Sequence, residues 1–397
     1  MNSMKKIFLI IGFIFLIIFE CLRVYLIMLM PGSQRNNSIE LAYFLGSNKN
    51  IIRIIGFLFI LFPIYYFIRN GKKKEKIITI ALTALYFTIF YIFTFMMEAD
   101  KMFYQPTKNY FFDISKNKIP PNKLIIGVTI SDESKAYPIQ LIGYHHQVRD
   151  SINHIPVMVT YCTVCRTGRI YSPIVNGKPE TFRLVGMDHF NAMFEDATTK
   201  SWWRQSTGEC IAGPLKGYRL EEIKSEQVSL SVWFRQHPNS MVLQPDEKFK
   251  ESFEKMDTYD KGKSKSGLTK RDSLSWKEKS WVLGIQNNLS AKTYDWNLLE
   301  NDRIIQDSLP NLPILLLLEN DSASYHAYNR TINKEALIFE KKGDSIIDLN
   351  TRSFWSYDGI CLEGKLKGFS LERIDCYQEF LHSWEFFHPR SERYLKR

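Results

Sequence analysis

The chain has 397 residues, enough for two ordinary domains, and its balance of apolar and charged residues excludes a disordered polymer. Its formal charge of +10 suggests a nucleic-acid partner, but the charge is unevenly placed. Residues 1–97 hold 11 Lys/Arg against 3 Asp/Glu, while residues 98–397 hold 41 against 39, so the part outside the apolar N-terminus is nearly neutral and no nucleic acid is implied.

Three apolar stretches open the chain, at residues 7–30, 51–68 and 77–97, each near the roughly 20 residues that cross a bilayer core. A cleaved signal peptide competes for the first. The run is long and no small-residue cleavage site follows it. Lys5 and Lys6 precede the first stretch; Arg69, Lys72, Lys73, Lys74 and Lys76 lie between the second and third. The positive-inside rule then predicts a cytoplasmic N-terminus and a C-terminal region outside the inner membrane, in the periplasm. Glu20 and Arg23, three apart in the first stretch, are expected to pair or to face another helix.

Beyond residue 98 the sequence repeats itself. KLIIGVTISDESKAYPIQLI (123–142) reads like SWVLGIQNNLSAKTYDWNLL (280–299), with Gly127, Lys135 and Tyr137 each 157 positions before Gly284, Lys292 and Tyr294. AGPLKGYRLEEI (212–223) reads like EGKLKGFSLERI (363–374), and Trp233 and His237 stand 151 before Trp384 and His388. Short β-rich runs dominate both halves, with one helix expected at 230–237. Asn176-Gly177 between two such runs predicts a hairpin. The charged segment 246–279, poor in aliphatic residues, reads as a linker or surface stretch. The fold expected is a three-helix transmembrane anchor (1–97) followed by an extracytoplasmic β-rich α+β region made of two homologous halves, 98–260 and 261–397.

The densest chemistry is VMVTYCTVCRTGRIYSP (157–173), where Cys162 and Cys165 are separated by two residues. At the 157-residue offset they fall on Glu319 and Ser322, which suggests a surface or mouth position for the pair. Outside the cytoplasm the two thiols could close a disulfide, or grip Zn or Cu with further ligands. His189, with Asp188 or Asp196, would complete a metal site; His145 and His146 are more distant candidates. Arg166 after the second cysteine excludes c-type haem attachment. No hydrolase or phosphate-loop signature is present, so an enzyme is unsupported.

TYCTVCRTG followed by NAMFEDATTKSWWRQSTGECIAGPLKG resembles the bacterial domain-of-unknown-function family 3179. The resemblance runs over residues 108–250 and implies family positions at Cys162, Cys165, Asn191, Asp196, Ser201, Trp203, Gln205 and Gly208. Arg166 and Cys210 depart from the pattern, where Gly and Ala are usual. The site so expected has Cys162 and Cys165 at a pocket edge, Asn191, Asp196, Trp203 and Gln205 lining it, and Cys162, Cys165 and His189 as metal ligands. It would take a small ligand or serve a membrane-protein partner. The other reading is a non-catalytic module whose cysteines form a structural disulfide.

Overall fold

The structure is a computed structural model that describes residues 2–288, 290–343 and 345–396. By contact the chain forms two compact units, one of residues 1–104 and 180–219, the other of residues 105–179 and 220–397. This grouping is by contact and is independent of the boundary expected at residue 260.

In the first unit, helices Asn2–Tyr25, Lys49–Asn70 and Lys73–Phe95 are long and apolar enough to cross a membrane. The first ends five residues earlier than its apolar run, because Pro31 and Gly32 (φ 82°) break the path. A short helix, Ile39–Ser47, follows that the sequence did not suggest. Glu20 does meet Arg23, at 3.4 Å, but its main partner is Arg53 of the second helix. Arg53 donates to both Glu20 oxygens, at 2.7 and 2.9 Å, and to Thr94 Oγ1 at 3.0 Å. Arg23 reaches Glu98 at 2.6 Å. Two acids and two guanidinium groups cancel, which removes most of the cost of charge in a lipid setting.

The same unit holds a four-stranded antiparallel sheet, in the order Cys210–Ala212, Trp202–Arg204, Asn191–Asp196, Phe182–Asp188. Its apolar face packs Val185, Met193, Trp202 and Ile211 against Leu26, Ile27 and Ala42. Met187 N–H donates to the Ile27 carbonyl at 2.7 Å. A Cβ on Gly186 would lie 2.3 Å from that oxygen, so only glycine fits.

The second unit is β-rich and, among the described residues, has four helices of seven residues, Ile139–His145, Leu230–Gln236, Trp296–Asp302 and Leu381–Phe387, and a shorter one, Lys250–Glu254. One sheet runs Tyr110–Phe112, Met241–Gln244, Glu133–Pro138, Leu124–Ile130, Glu226–Ser229. Another runs Tyr377–Phe380, Trp281–Gln286, Ala291–Asp295, Glu392–Arg393. Several contact sets occur twice. Lys135 and Tyr137 donate to Asp150 at 3.0 and 2.7 Å; Lys292 and Tyr294 donate to Asp307 at 2.8 and 3.1 Å. Trp233 Nε1 donates to Ser240 Oγ at 2.7 Å, and Trp384 Nε1 to Ser391 Oγ at 2.8 Å. The expected hairpin forms, with Asn176 and Gly177 at φ 50° and 74°.

The segment read as a linker is in part core. Phe249, Phe253 and Tyr259 are buried, and the two phenylalanines pack on Tyr144 and His145. Three aromatics spaced through a charged run anchor it, while its lysines from 248 to 277 remain outside.

Candidate functional site

Strands Ile155–Cys162 and Thr167–Tyr171 pair antiparallel, with Cys162 opposite Thr167. The four-residue turn between them carries Cys165, and Arg166 closes it at φ 57°. Three successive carbonyls of the turn are held from outside. Thr163 O accepts from Tyr259 Oη at 2.9 Å, Val164 O from Lys279 Nζ at 2.7 Å, and Cys165 O from Phe380 N at 2.9 Å. Both thiols are wholly buried. Burial pushes the Cys165 thiol well up, and the hydrogen bond and charge of Cys162 push it further, against the pull of Ser383. Glu319 at the position 157 beyond Cys162 is also buried, so its identity did not signal a surface position.

Arg166 is buried at 1% exposure. Its Nε donates to Gln378 at 2.8 Å and its guanidinium lies 3.8 Å over the Trp281 ring. Neighbouring Arg169 donates to Glu379 at 2.7 Å and stacks 3.4 Å from the Tyr377 ring. Lys279 has its pKa lowered by burial, with Cys165 and Cys162 drawing it back up. Tyr259, Lys279, Phe380 and His382, which fix the turn, were not legible as site residues. The only local hint was a lone Tyr in a charged run.

Of the remaining expected site residues, His145 and His146 lie in the second unit; the others lie in the first, and there they meet in pairs. Asn191 Nδ2 donates to Gln205 Oε1 at 2.9 Å, and Asn191 Oδ1 accepts from Ser206 N at 2.9 Å; both amides are fully buried. Asp196 accepts from Trp203 Nε1 at 3.0 Å, Ser201 N at 3.1 Å, Thr199 Oγ1 at 2.7 Å and Thr199 N at 2.5 Å. Both its oxygens are thereby committed to closing a turn. His189 Nδ1 lies 2.5 Å from Asp188, which also takes Arg204 at 2.6 Å. Burial would raise the Asp188 carboxyl; the His189 hydrogen bond and the Arg204 charge hold it low. His145 is packed between Phe249 and Phe253, and His146 caps a helix at φ 61° with its Nδ1 3.2 Å from Tyr144 O.

The Asp196 pattern occurs again in the second unit. Asp348 accepts from Trp355 Nε1 at 2.9 Å, Ser353 N at 3.2 Å and Thr351 Oγ1 at 2.8 Å, each 152 positions on.

Among the described residues, one group brings three metal-ligand side chains close enough for a single ion: Glu319, His326 and Asp358. It contains neither cysteine. Arg235 stands in the cation's place, donating to Glu319 at 2.9 and 2.5 Å and to Asp358 at 3.3 Å. Beside it is a cavity of about 220 Å³, lined by Trp233, His237, His326, Arg373 and Cys376 among others. His326 Nε2 is 2.9 Å from Glu319, and its Nδ1 is buried without a hydrogen-bond partner.

These features define a β-rich protein with three helices long and apolar enough to cross a membrane and a buried dithiol turn. The chain belongs to the family described as Protein of unknown function (DUF3179), which matches residues 107–391. The match runs well past the stretch 108–250 that carries the motifs. No curated protein and no solved structure matches the chain.

Proposed function

We propose that this protein is a non-catalytic, membrane-anchored module that faces away from the cytoplasm, built of two copies of one domain, with Cys162 and Cys165 closing a disulfide that staples the turn. The observation that carries this reading is the burial of both thiols with Cys165 pushed well up. A reactive or metal-ready thiol is partly exposed and has a depressed pKa; a buried thiol with a raised pKa is inert toward large reagents. Two adjacent sulfurs in an oxidising compartment nevertheless form a bridge readily during folding.

Support for two copies comes from the contact sets at offsets of 157, 152 and 151, and from one further contact. Gln227 donates to Gln378 at 2.8 Å, and these residues are 151 positions apart. A residue meeting its own counterpart is what a pseudo-twofold axis produces. On this reading the second copy separates structural residues from specialised ones. Asp196, Thr199, Ser201 and Trp203 have counterparts making the same hydrogen bonds, so they hold the turn. Cys162 and Cys165 face Glu319 and Ser322, while Asn191 and Gln205 face Gly343 and Tyr357. Those four are the residues that the first copy alone keeps.

Two experiments test this. Reporter fusions after Lys76 and after residue 110 should read cytoplasm and exterior respectively; the reverse overturns the orientation. Alkylation of the denatured full-length protein, taken from its own membranes without reductant, should leave Cys162 and Cys165 unmodified and gain two thiols on reduction. A four-residue loop makes the bridge worth about 2 kcal/mol, so reduction should cost about that much stability. Both thiols alkylated at the outset, or stoichiometric Zn or Cu on the purified protein, would replace the staple with a free dithiol or a metal site.

A second reading, small-ligand binding, is favoured by the cavity beside His326. The Glu319 carboxylate fixes one ring nitrogen, and the other lacks a hydrogen-bond partner among the described residues.

A further inference from the structure

Near the N-terminal end of the first helix and the start of the third, residues from all three long helices surround a cavity of about 270 Å³. Its wall divides by polarity. Leu9, Ile10, Phe67 and Ile78 form an apolar side; Lys6, Lys74 and Glu75 form the polar end, and the hydroxyl of Thr79, which also lines the cavity, is taken up by the Glu75 carbonyl at 2.9 Å. Lys6 is engaged by Glu75, at 2.7 Å, and Lys5 is drawn onto the Tyr66 ring at 3.4 Å. Lys74 is exposed and makes no ion pair among the described residues. Lys72, Lys73 and Lys76 flank it, so the polar end has a clear positive excess.

We infer that this cavity is a binding site for one anionic glycerophospholipid, with the phosphate at Lys74 and Lys6 and an acyl chain along Leu9, Ile10, Phe67 and Ile78. The division of the wall carries the argument. A free phosphate has no use for the apolar side. A partner's transmembrane helix would present apolar groups at both ends and leave Lys74 unmatched. A phospholipid matches both ends, and it is the amphiphile present at that depth in any bilayer. Exposed Ile10 and Ile78 already present their side chains where acyl chains lie. The site also explains why the basic loop sits against helix ends instead of being spread along the chain. Basic pockets between spanning helices on the cytoplasmic side are where anionic headgroups are held.

The inference rests on the membrane-spanning reading of the three helices. Its test uses the full-length protein in mild detergent, incubated with phosphatidylglycerol, with phosphatidylcholine or with inorganic phosphate, and read by native mass spectrometry. One bound phosphatidylglycerol is expected in preference to phosphatidylcholine, with no stable phosphate adduct. Lys74→Gln should weaken retention about fivefold, the effect of one lysine near a headgroup. Lys250→Gln, at an exposed lysine outside the three long helices, should retain the lipid as the unaltered chain does. Equal retention of both lipids, no bound lipid, or unchanged retention in Lys74→Gln overturns the site. Fractionation separates the two possible failures. A chain recovered from the soluble fraction overturns the spans, whereas a membrane-bound chain without lipid preference overturns only the lipid site.

Discussion

Taking the full-length protein from pH 7 to pH 5 lowers the stability of its β-rich part by up to about 4 kcal/mol. Two histidines carry this. Burial, with a contribution from His145, pushes His146 down to about 4, and its Nδ1 is turned to the Tyr144 carbonyl. Burial and then the Lys279 charge push His382 down to about 3, with the Lys279 ammonium 3.1 Å from Nε2. Both are neutral when folded and titrate near 6.5 when unfolded. Between those values the unfolded chain binds the extra proton, so stability is intact above about 6.5 and falls as pH drops toward the folded values. Each group then costs about 1.4 kcal/mol per pH unit below 6.5, or about 2 kcal/mol at pH 5. Asp260 and Glu222, both raised by burial, act in the opposite direction at lower pH, when the folded protein takes up their protons. Urea midpoints followed by tryptophan fluorescence measure the effect, because all eight tryptophans lie beyond residue 200. His146→Asn, suited to the left-handed backbone there, combined with His382→Gln should flatten the pH 5–7 slope. An unchanged slope in that double variant would show that other groups govern it.

Much of the architecture was legible because it depends on local pattern. Apolar length located the three long helices, Asn-Gly located a hairpin, and the helix expected at 230–237 forms as Leu230–Gln236. What escaped depends on distance along the chain. Helix Ile139–His145 is seven residues long, too short for its periodicity to stand out from a flanking strand. The main partner of Glu20 is Arg53, 33 positions away, and no local pattern links the two. The cysteine turn was found, but not what holds it, since Tyr259, Lys279 and Phe380 arrive from roughly 100 to 220 positions further on. The exposure of the pair was misjudged for one reason. A glutamate in the equivalent place was taken to need water, whereas Arg235 and His326 satisfy Glu319 inside the protein. Asp196 and Trp203 were expected to line a pocket from the family resemblance; in the structure they bond to each other within a closed turn.

Trp233→Ala and Trp384→Ala should each cost about 3–5 kcal/mol, and the two losses should agree within about 1 kcal/mol. Both indoles are essentially without exposure, at 1% and 0%. Each rests on a glycine: a Cβ on Gly127 would lie 2.4 Å from the Trp233 ring, and one on Gly284 would lie 2.2 Å from that of Trp384. Each Nε1 is satisfied by a serine seven positions on, and each ring lies against a histidine, His237 at 4.0 Å and tilted, His388 at 3.8 Å and stacked. Removing an indole therefore loses the same buried area, hydrogen bond and ring contact in both places, and leaves a cavity that strands on either side cannot fill. Gly127→Ala and Gly284→Ala probe the same contacts from the opposite side. Each forces a methyl into an aromatic ring with no room to retreat, at about 1–3 kcal/mol or more. Tryptophan-independent unfolding, by far-ultraviolet circular dichroism in urea, measures all four. Matched losses within each pair are the energetic signature of one domain used twice. If Trp384→Ala proved near neutral while Trp233→Ala unfolded the protein, the two sites would not be equivalent packing centres, and the two-copy reading would lose its main support.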